Sequence, residues 1–239
     1  QSVDKTLKVW DLKSGLCIYT LTGQINDFHP LVLTPDSKHA IYGSQDHTLK
    51  VVNLESGNCI YVLEGHRNKI TEIALTPDGK CAVSASSDHT LRLWSLVNGD
   101  CIQTLVGHTD EVTSIALTPD GQQAISGSID KTLKIWNLGS GDCIHTSEEM
   151  KGVVTKVILS MDGQLVTSTC DQLLRGDTKL NIRDIQSGRT LTSFDCDGSC
   201  RCVSISTNGL NYGAGDESGK VYCLRLENLN SDASVVTAW

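Results

Sequence analysis

A chain of 239 residues with 28 acidic and 20 basic side chains, net charge −8, can bury a large core and is too acidic to favour nucleic acid or an anionic membrane as its partner. Its longest apolar runs fall far short of the roughly 18 residues needed to span a bilayer, and no signal peptide is visible. The ten cysteines and the lack of any Asn-x-Ser/Thr sequon have to be read against where those cysteines fall.

From the first residue, Asp4-Lys5-Thr6-Leu7-Lys8-Val9-Trp10-Asp11 reads as one strand and Cys17–Leu21 as the next. Residues 23–64 hold the same pair after two earlier strand-like runs, with Gln24 and Val52 at positions where later copies carry His and Trp. Residues 65–106 are the clearest copy. They run Gly65-His66, an apolar stretch Ile70–Leu75, Thr76-Pro77-Asp78-Gly79, small residues Ala82–Ser86, Asp88, Thr90-Leu91-Arg92-Leu93-Trp94, and Cys101-Ile102 to Leu105. Strands are predicted near 70–76, 80–86, 90–96 and 101–105. The Ile70/Ile73 spacing also suits a helix, but Pro77 and the Asp78-Gly79 turn cut that run too short. Leu91 and Leu93 alternate with Arg92 and Trp94, the period of a strand.

Residues 107–148 repeat the pattern closely. Residues 149–195 keep it with Met161 in place of Pro, Arg183 in place of Trp, and about five extra residues at Asp171–Asp177. Residues 196–239 are degenerate, marked by Asn208-Gly209, Asp216 and Tyr222, with Val235-Val236-Thr237 as a candidate last strand.

The copies share one register. Asp4, Asp46, Asp88 and Asp130 recur every 42 residues, as do Cys17, Cys59, Cys101 and Cys143, and Thr34, Thr76 and Thr118. A repeat of roughly 40–45 residues with Gly-His and a later Trp-Asp-like pair resembles the WD-repeat family, one propeller blade per repeat. The resemblance implies an all-β propeller of four-stranded antiparallel blades. About six are represented, in a single domain over 1–239 whose first blade, 1–22, begins at its third strand. That start leads us to expect a fragment of a longer chain. Cysteines at one place in successive blades stand too far apart for a disulfide, which needs Cα atoms within about 7 Å. They are expected to be reduced, buried strand residues in a cytoplasmic setting.

In the WD-repeat family a His, a Ser or Thr, an Asp and a Trp form a buried hydrogen-bonded network. By position these are His66, Ser84 (or Ser86), Asp88 and Trp94, and in the next copy His108, Ser126 (or Ser128), Asp130 and Trp136. Burial of a carboxylate and an indole N–H calls for such mutual satisfaction. A hydrolase reading of Ser, His and Asp fails because the set recurs with the same spacing, whereas a catalytic triad is needed once. No Gly-x-Ser-x-Gly, Walker A or His-Glu-x-x-His sequence occurs. Cys196, Cys200 and Cys202, with Cys170, leave a remote alternative of a zinc site or enzyme in the irregular last blades. No cofactor is expected.

What varies between copies is loop chemistry. After the Gly-His column stand Ile25, Arg67 and Lys69, and Asp110 and Glu111; before the blade Asp stand Ser87 and Ile129. The resemblance places these loops on one propeller face around the central channel, with Ile25 and Ile129 exposed. A rigid frame with variable loops suits a non-catalytic protein-interaction module. The Leu-Thr-Pro-Asp-Gly and Leu-x-x-Gly-x-Cys-Ile copies look like the arrays attached to NACHT/STAND-type signalling NTPases. That implies a sensor or autoinhibitory role whose partners are proteins, including other domains of the same longer chain. The alternative is a substrate adaptor or scaffold, as in ubiquitin-ligase or signalling assemblies.

Overall fold

Turn chemistry decides where each strand begins and ends. In the clearest copy the Thr76 hydroxyl accepts the Cys81 N–H (3.0 Å) and donates to the Asp78 carboxylate (2.6 Å), while Gly79 takes a left-handed φ of +66°. A side chain at Gly79 would be strained there and would also strike the Pro35 ring, 2.9 Å from an added Cβ. Thr34, Thr118 and Ser160 close the equivalent turns in the same way. The computed structural model describes residues 6–11, 13–22, 30–171, 178–207, 209–227 and 235–238. Every described element is a β-strand, and the sheets are all antiparallel. No described helix is long and apolar enough to cross a membrane.

The chain divides into two units, Gln1–Gly107 and His108–Trp239. Among the described residues the first holds three sheets. β1 (Thr6–Trp10) pairs with β2 (Cys17–Thr22) as a two-stranded sheet. A four-stranded sheet follows from β3 (Leu31–Leu33), β4 (His39–Gly43), β5 (Leu49–Asn53) and β6 (Cys59–Leu63). Another consists of β7 (Ile70–Leu75), β8 (Cys81–Ser86), β9 (Thr90–Ser95) and β10 (Cys101–Val106). Strand β7 packs on β3 and β4, and Ile41, Leu49, Leu63, Ile70, Ala82 and Trp94 form one core between the two sheets.

Among its described residues the second unit holds three four-stranded sheets. The first is β11 (Val112–Leu117), β12 (Gln123–Ser128), β13 (Leu133–Asn137) and β14 (Cys143–Thr146). The next is β15 (Val153–Leu159), β16 (Leu165–Asp171), β17 (Thr178–Asp184) and β18 (Thr190–Cys196). The last is β19 (Cys200–Ile205), β20 (Asn211–Asp216), β21 (Val221–Glu227) and β22 (Val235–Ala238). Again the first strand of one sheet packs on the sheet before it: β15 on β11 and β12, and β19 on β15 and β16. The approach is close enough that a Cβ at Gly127 would lie 2.3 Å from the Val154 side chain. Two clusters result, one around Ile125, Val154 and Val166, the other around Leu180, Tyr212 and Leu224.

This architecture matches the all-β expectation and the strand order within each copy. It corrects the expectation for the repeated cysteines. Cys17, Cys59, Cys101 and Cys143 are exposed, not buried, and all ten cysteines are free. Each of the four opens the fourth strand of its copy. That strand is a sheet edge, and it bulges where Cys101 faces Trp94 and Cys143 faces Trp136. It sends inward a later residue, Leu63 or Leu105, each 1 % exposed. Apolarity and periodicity signalled a strand position; which face covers it depends on being outermost.

Candidate functional site

In the β7–β10 sheet, strand pairing sets Ser84 beside Arg92 and Ala82 beside Trp94, and the Trp94 indole N–H reaches the Ser84 hydroxyl (2.8 Å). Ser84 Oγ also meets His66 Nε2 at 2.6 Å, and His66 Nδ1 meets Asp88 Oδ2 at 2.8 Å. With the indole occupying the serine oxygen as donor, the hydroxyl proton goes to Nε2. The imidazole is then the tautomer that donates from Nδ1 to the carboxylate. The Asp88 carboxylate also accepts the Thr90 N–H and hydroxyl (3.0 and 2.6 Å) and the Arg67 backbone N–H (2.9 Å). Burial works to raise the Asp88 pKa, yet the hydrogen bonds from His66, Thr90 and Arg67 prevail and hold it well below the ordinary carboxylate value.

His108, Ser126, Asp130 and Trp136 are brought together in the same way, at 2.7, 2.7 and 2.8 Å. Here burial is outweighed by hydrogen bonds from Thr132, His108 and the Thr109 N–H, and Asp130 is held at about 2. His108 is pushed below its usual value, chiefly by burial and against the pull of Asp130. The set therefore rests as a neutral imidazole on an ionised carboxylate.

The connectivity Ser–His–Asp is that of a catalytic triad, but these serines are not nucleophiles. Ser84 and Ser126 are fully buried, and each oxygen already accepts an indole N–H. No substrate can reach them.

The network's consequence lies at the loops. Ser86 and Ser128, which the sequence offered as alternatives to Ser84 and Ser126, do a separate task. Ser86 accepts the Asp88 N–H (3.0 Å) and donates to the Asn68 carbonyl (3.1 Å), and Ser128 does the same for Asp130 and Asp110. With Asp88 holding the Arg67 N–H and the Ser87 N–H bonded to the Lys69 carbonyl (2.9 Å), the backbone from 67 to 69 is fixed at three points. The side chains of Arg67 and Lys69 stay exposed beside half-buried Ser87. In the next copy the Thr109 N–H bonds Asp130 (3.1 Å) and the Ile129 N–H bonds the Glu111 carbonyl (2.9 Å), bringing Asp110, Glu111 and Ile129 together. Ile129 is half-buried, not exposed as expected. Ile25 lies outside the described residues. Thr90 and Thr132 were missed by sequence reasoning. Their signal was the recurring Asp-x-Thr of Asp46-His47-Thr48, Asp88-His89-Thr90 and Asp130-Lys131-Thr132.

The later sheets depart from this pattern. In the β15–β18 sheet Met150 stands at the His position, and Ser168 pairs with Asn181 as Ser126 pairs with Lys134. Arg183 takes the Trp position. The buried Cys170 thiol touches Met150 and accepts from the Asn181 amide (3.5 Å), and burial pushes its pKa up to about 11. Ser168 Oγ faces that thiol closely enough to ease its ionisation, yet has no hydrogen bond of normal geometry. In the β19–β22 sheet the Tyr222 hydroxyl donates to Asp216 (2.9 Å) and accepts the Asp197 N–H (3.1 Å), doing with one side chain part of what His and Trp do elsewhere. The cysteine cluster does not converge as a zinc site would. Cys196 and Cys200 are buried, whereas Cys202 is exposed with its thiol toward the Gly215 carbonyl. Among the described residues no three metal-binding side chains gather.

The family model described as WD domain, G-beta repeat matches twice, over residues 57–95 and 99–137. No curated protein matches the chain. The matched spans run through β6–β9 and β10–β13 and contain both complete His–Ser–Asp–Trp networks. WD repeats generally serve protein interaction and are typically non-catalytic. The chain thus carries two WD repeats, over residues 57–95 and 99–137.

Proposed function

We propose that this chain is a non-catalytic protein-interaction module acting as the sensor, autoinhibitory part of a larger signalling protein, in a reducing cytoplasmic setting. The observation that carries the reading is the clamp on the loops. Buried Asp88 and Ser86 fix the backbone around Arg67 and Lys69, while those two side chains face solvent. Recognition residues held in this way lose little conformational entropy on binding, and their charge can change without touching the frame. Asp110 and Glu111 occupy the equivalent clamped loop with the opposite charge. Loops that differ in charge on one frame can discriminate among protein partners. Exposure of Cys59, Cys101, Cys143 and Cys223 as free thiols supports the reducing setting.

The test is the double reversal Arg67→Glu, Lys69→Glu. The clamp uses the backbone N–H of residue 67, so the fold should survive, with stability changed by less than about 1 kcal/mol. Capture of the native partner should fall about tenfold or more. Unchanged capture would remove these loops from the binding surface. In a longer protein carrying this chain, its deletion should raise signalling output in the absence of partner; unchanged output would remove the sensor role.

A further inference from the structure

We propose that the β15–β18 sheet carries a pocket for a carboxylate, the acidic side chain of a peptide partner. In the regular copies the His, Asp and Trp side chains fill the space above the Ser of the second strand. Met150 and Arg183 replace His and Trp here, and a cavity of about 180 Å³ remains. Its floor is buried Cys170 and Met150, and its cations are Lys151, Lys179 and Arg183.

Arg183 is the group that calls for a ligand. Its Nε is buried without a hydrogen-bond partner. The side chain as a whole is half-buried, and an incoming carboxylate meets the guanidinium fork with two parallel bonds. The other charges are largely spoken for. Lys179 pairs with Asp195 (3.3 Å), and Glu149, the one acidic residue of the lining among the described residues, pairs with Lys131 (3.2 Å). Lys151 is exposed, placing a second cation at the mouth.

Size and charge narrow the ligand. Pockets for drug-sized molecules run from about 300 Å³ upward, so this one suits a single side chain. The sulfur-lined floor accepts methylene groups. Glu149 at the lining repels a phosphate dianion more strongly than a single carboxylate, and desolvating two charges costs more than desolvating one. A glutamate fits better than a phosphorylated residue.

The proposal rests on the protein-interaction reading, and its test is separate from the loop test above. The full chain is titrated with Ac-Gly-Glu-Gly-NH2, its Gln counterpart and inorganic phosphate, following the Arg183 Nε–H resonance by NMR. The Glu peptide should shift that resonance and bind about tenfold or more tightly than the Gln peptide. Arg183→Met should abolish the preference. Lys151→Ala, a surface change that leaves the fold intact, should weaken Glu binding about threefold. Absence of a shift, equal binding of the Gln peptide, or tighter binding of phosphate overturns the carboxylate pocket. If the peptide fails while Arg67→Glu, Lys69→Glu still abolishes partner capture, the pocket falls and the interaction module stands; the reverse result removes only the loops.

Discussion

Replacing Ser84 by Ala removes one oxygen and strands two groups. The side chain is fully buried, and its hydroxyl is both the acceptor for the Trp94 N–H and the donor to His66 Nε2. Water cannot enter to replace it. Each orphaned buried group costs about 1–3 kcal/mol, so the substitution should cost about 2–5 kcal/mol. For a chain of this length that is a drop in melting temperature of roughly 5–15 °C. Ser86→Ala makes a useful contrast. It frees the Asp88 N–H and the Asn68 carbonyl, which belong to half-buried and exposed residues that water can reach, so its cost should stay near 1 kcal/mol. The assay is urea unfolding of both variants, followed by a cycle with Trp94→Phe. Phenylalanine has no N–H to strand, so Ser84→Ala should cost about 1–2 kcal/mol less in that background. Ser126→Ala should reproduce the effect in the next copy. The reasoning is refuted if Ser84→Ala and Ser86→Ala destabilise equally, or if the cycle shows no coupling.

Acid should weaken the second network in two stages. His108 titrates below 6.5 in the folded chain, so under pH 6.5 the unfolded chain binds a proton that the folded one refuses, and stability declines. Asp130, 6 % exposed and held at about 2 against 3.8 unfolded, contributes about 2 kcal/mol above pH 4 that is lost toward pH 2. Asp130→Asn should flatten the urea-midpoint profile across that second window; an unchanged slope would count against the assignment. Thiol labelling of the native chain should modify the exposed Cys17, Cys59, Cys101, Cys143, Cys202 and Cys223, while Cys170, Cys196 and Cys200 react only on unfolding. Rapid labelling of Cys170 would contradict its burial. Gly127→Ala should cost about 1–3 kcal/mol by overpacking Val154, with Val154→Ala in the same chain recovering part of it. Additive losses in the double variant would rule out that contact.

What the sequence made legible was whatever recurs. A 42-residue step through Asp46, Asp88 and Asp130 placed the strands within a residue or two and grouped each His with its Asp, because all copies solve the same burial problem. Choosing between Ser84 and Ser86 was beyond it. Both are small, buried and two residues apart on β8, and only the position of the Trp94 indole decides which hydroxyl it meets. The cysteines misled for a related reason. Cys101 recurs as faithfully as Leu105, yet one is exposed and the other buried, since an edge strand has a single covered side.

Recurrence also explains why the irregular sheet carries the stronger case for chemistry. Where His66, Ser84, Asp88 and Trp94 are complete, the polar groups of those four side chains are met by one another and by the loop they clamp. Such a set can influence recognition only by fixing the loop it clamps. The β15–β18 sheet has lost the His and the Trp. The cost is visible in Arg183 Nε, a buried polar atom without a hydrogen bond. Each unmet group weakens the fold by about 1–3 kcal/mol until something satisfies it. A ligand that meets Arg183 should therefore raise the melting temperature, and should do so only while Arg183 is present.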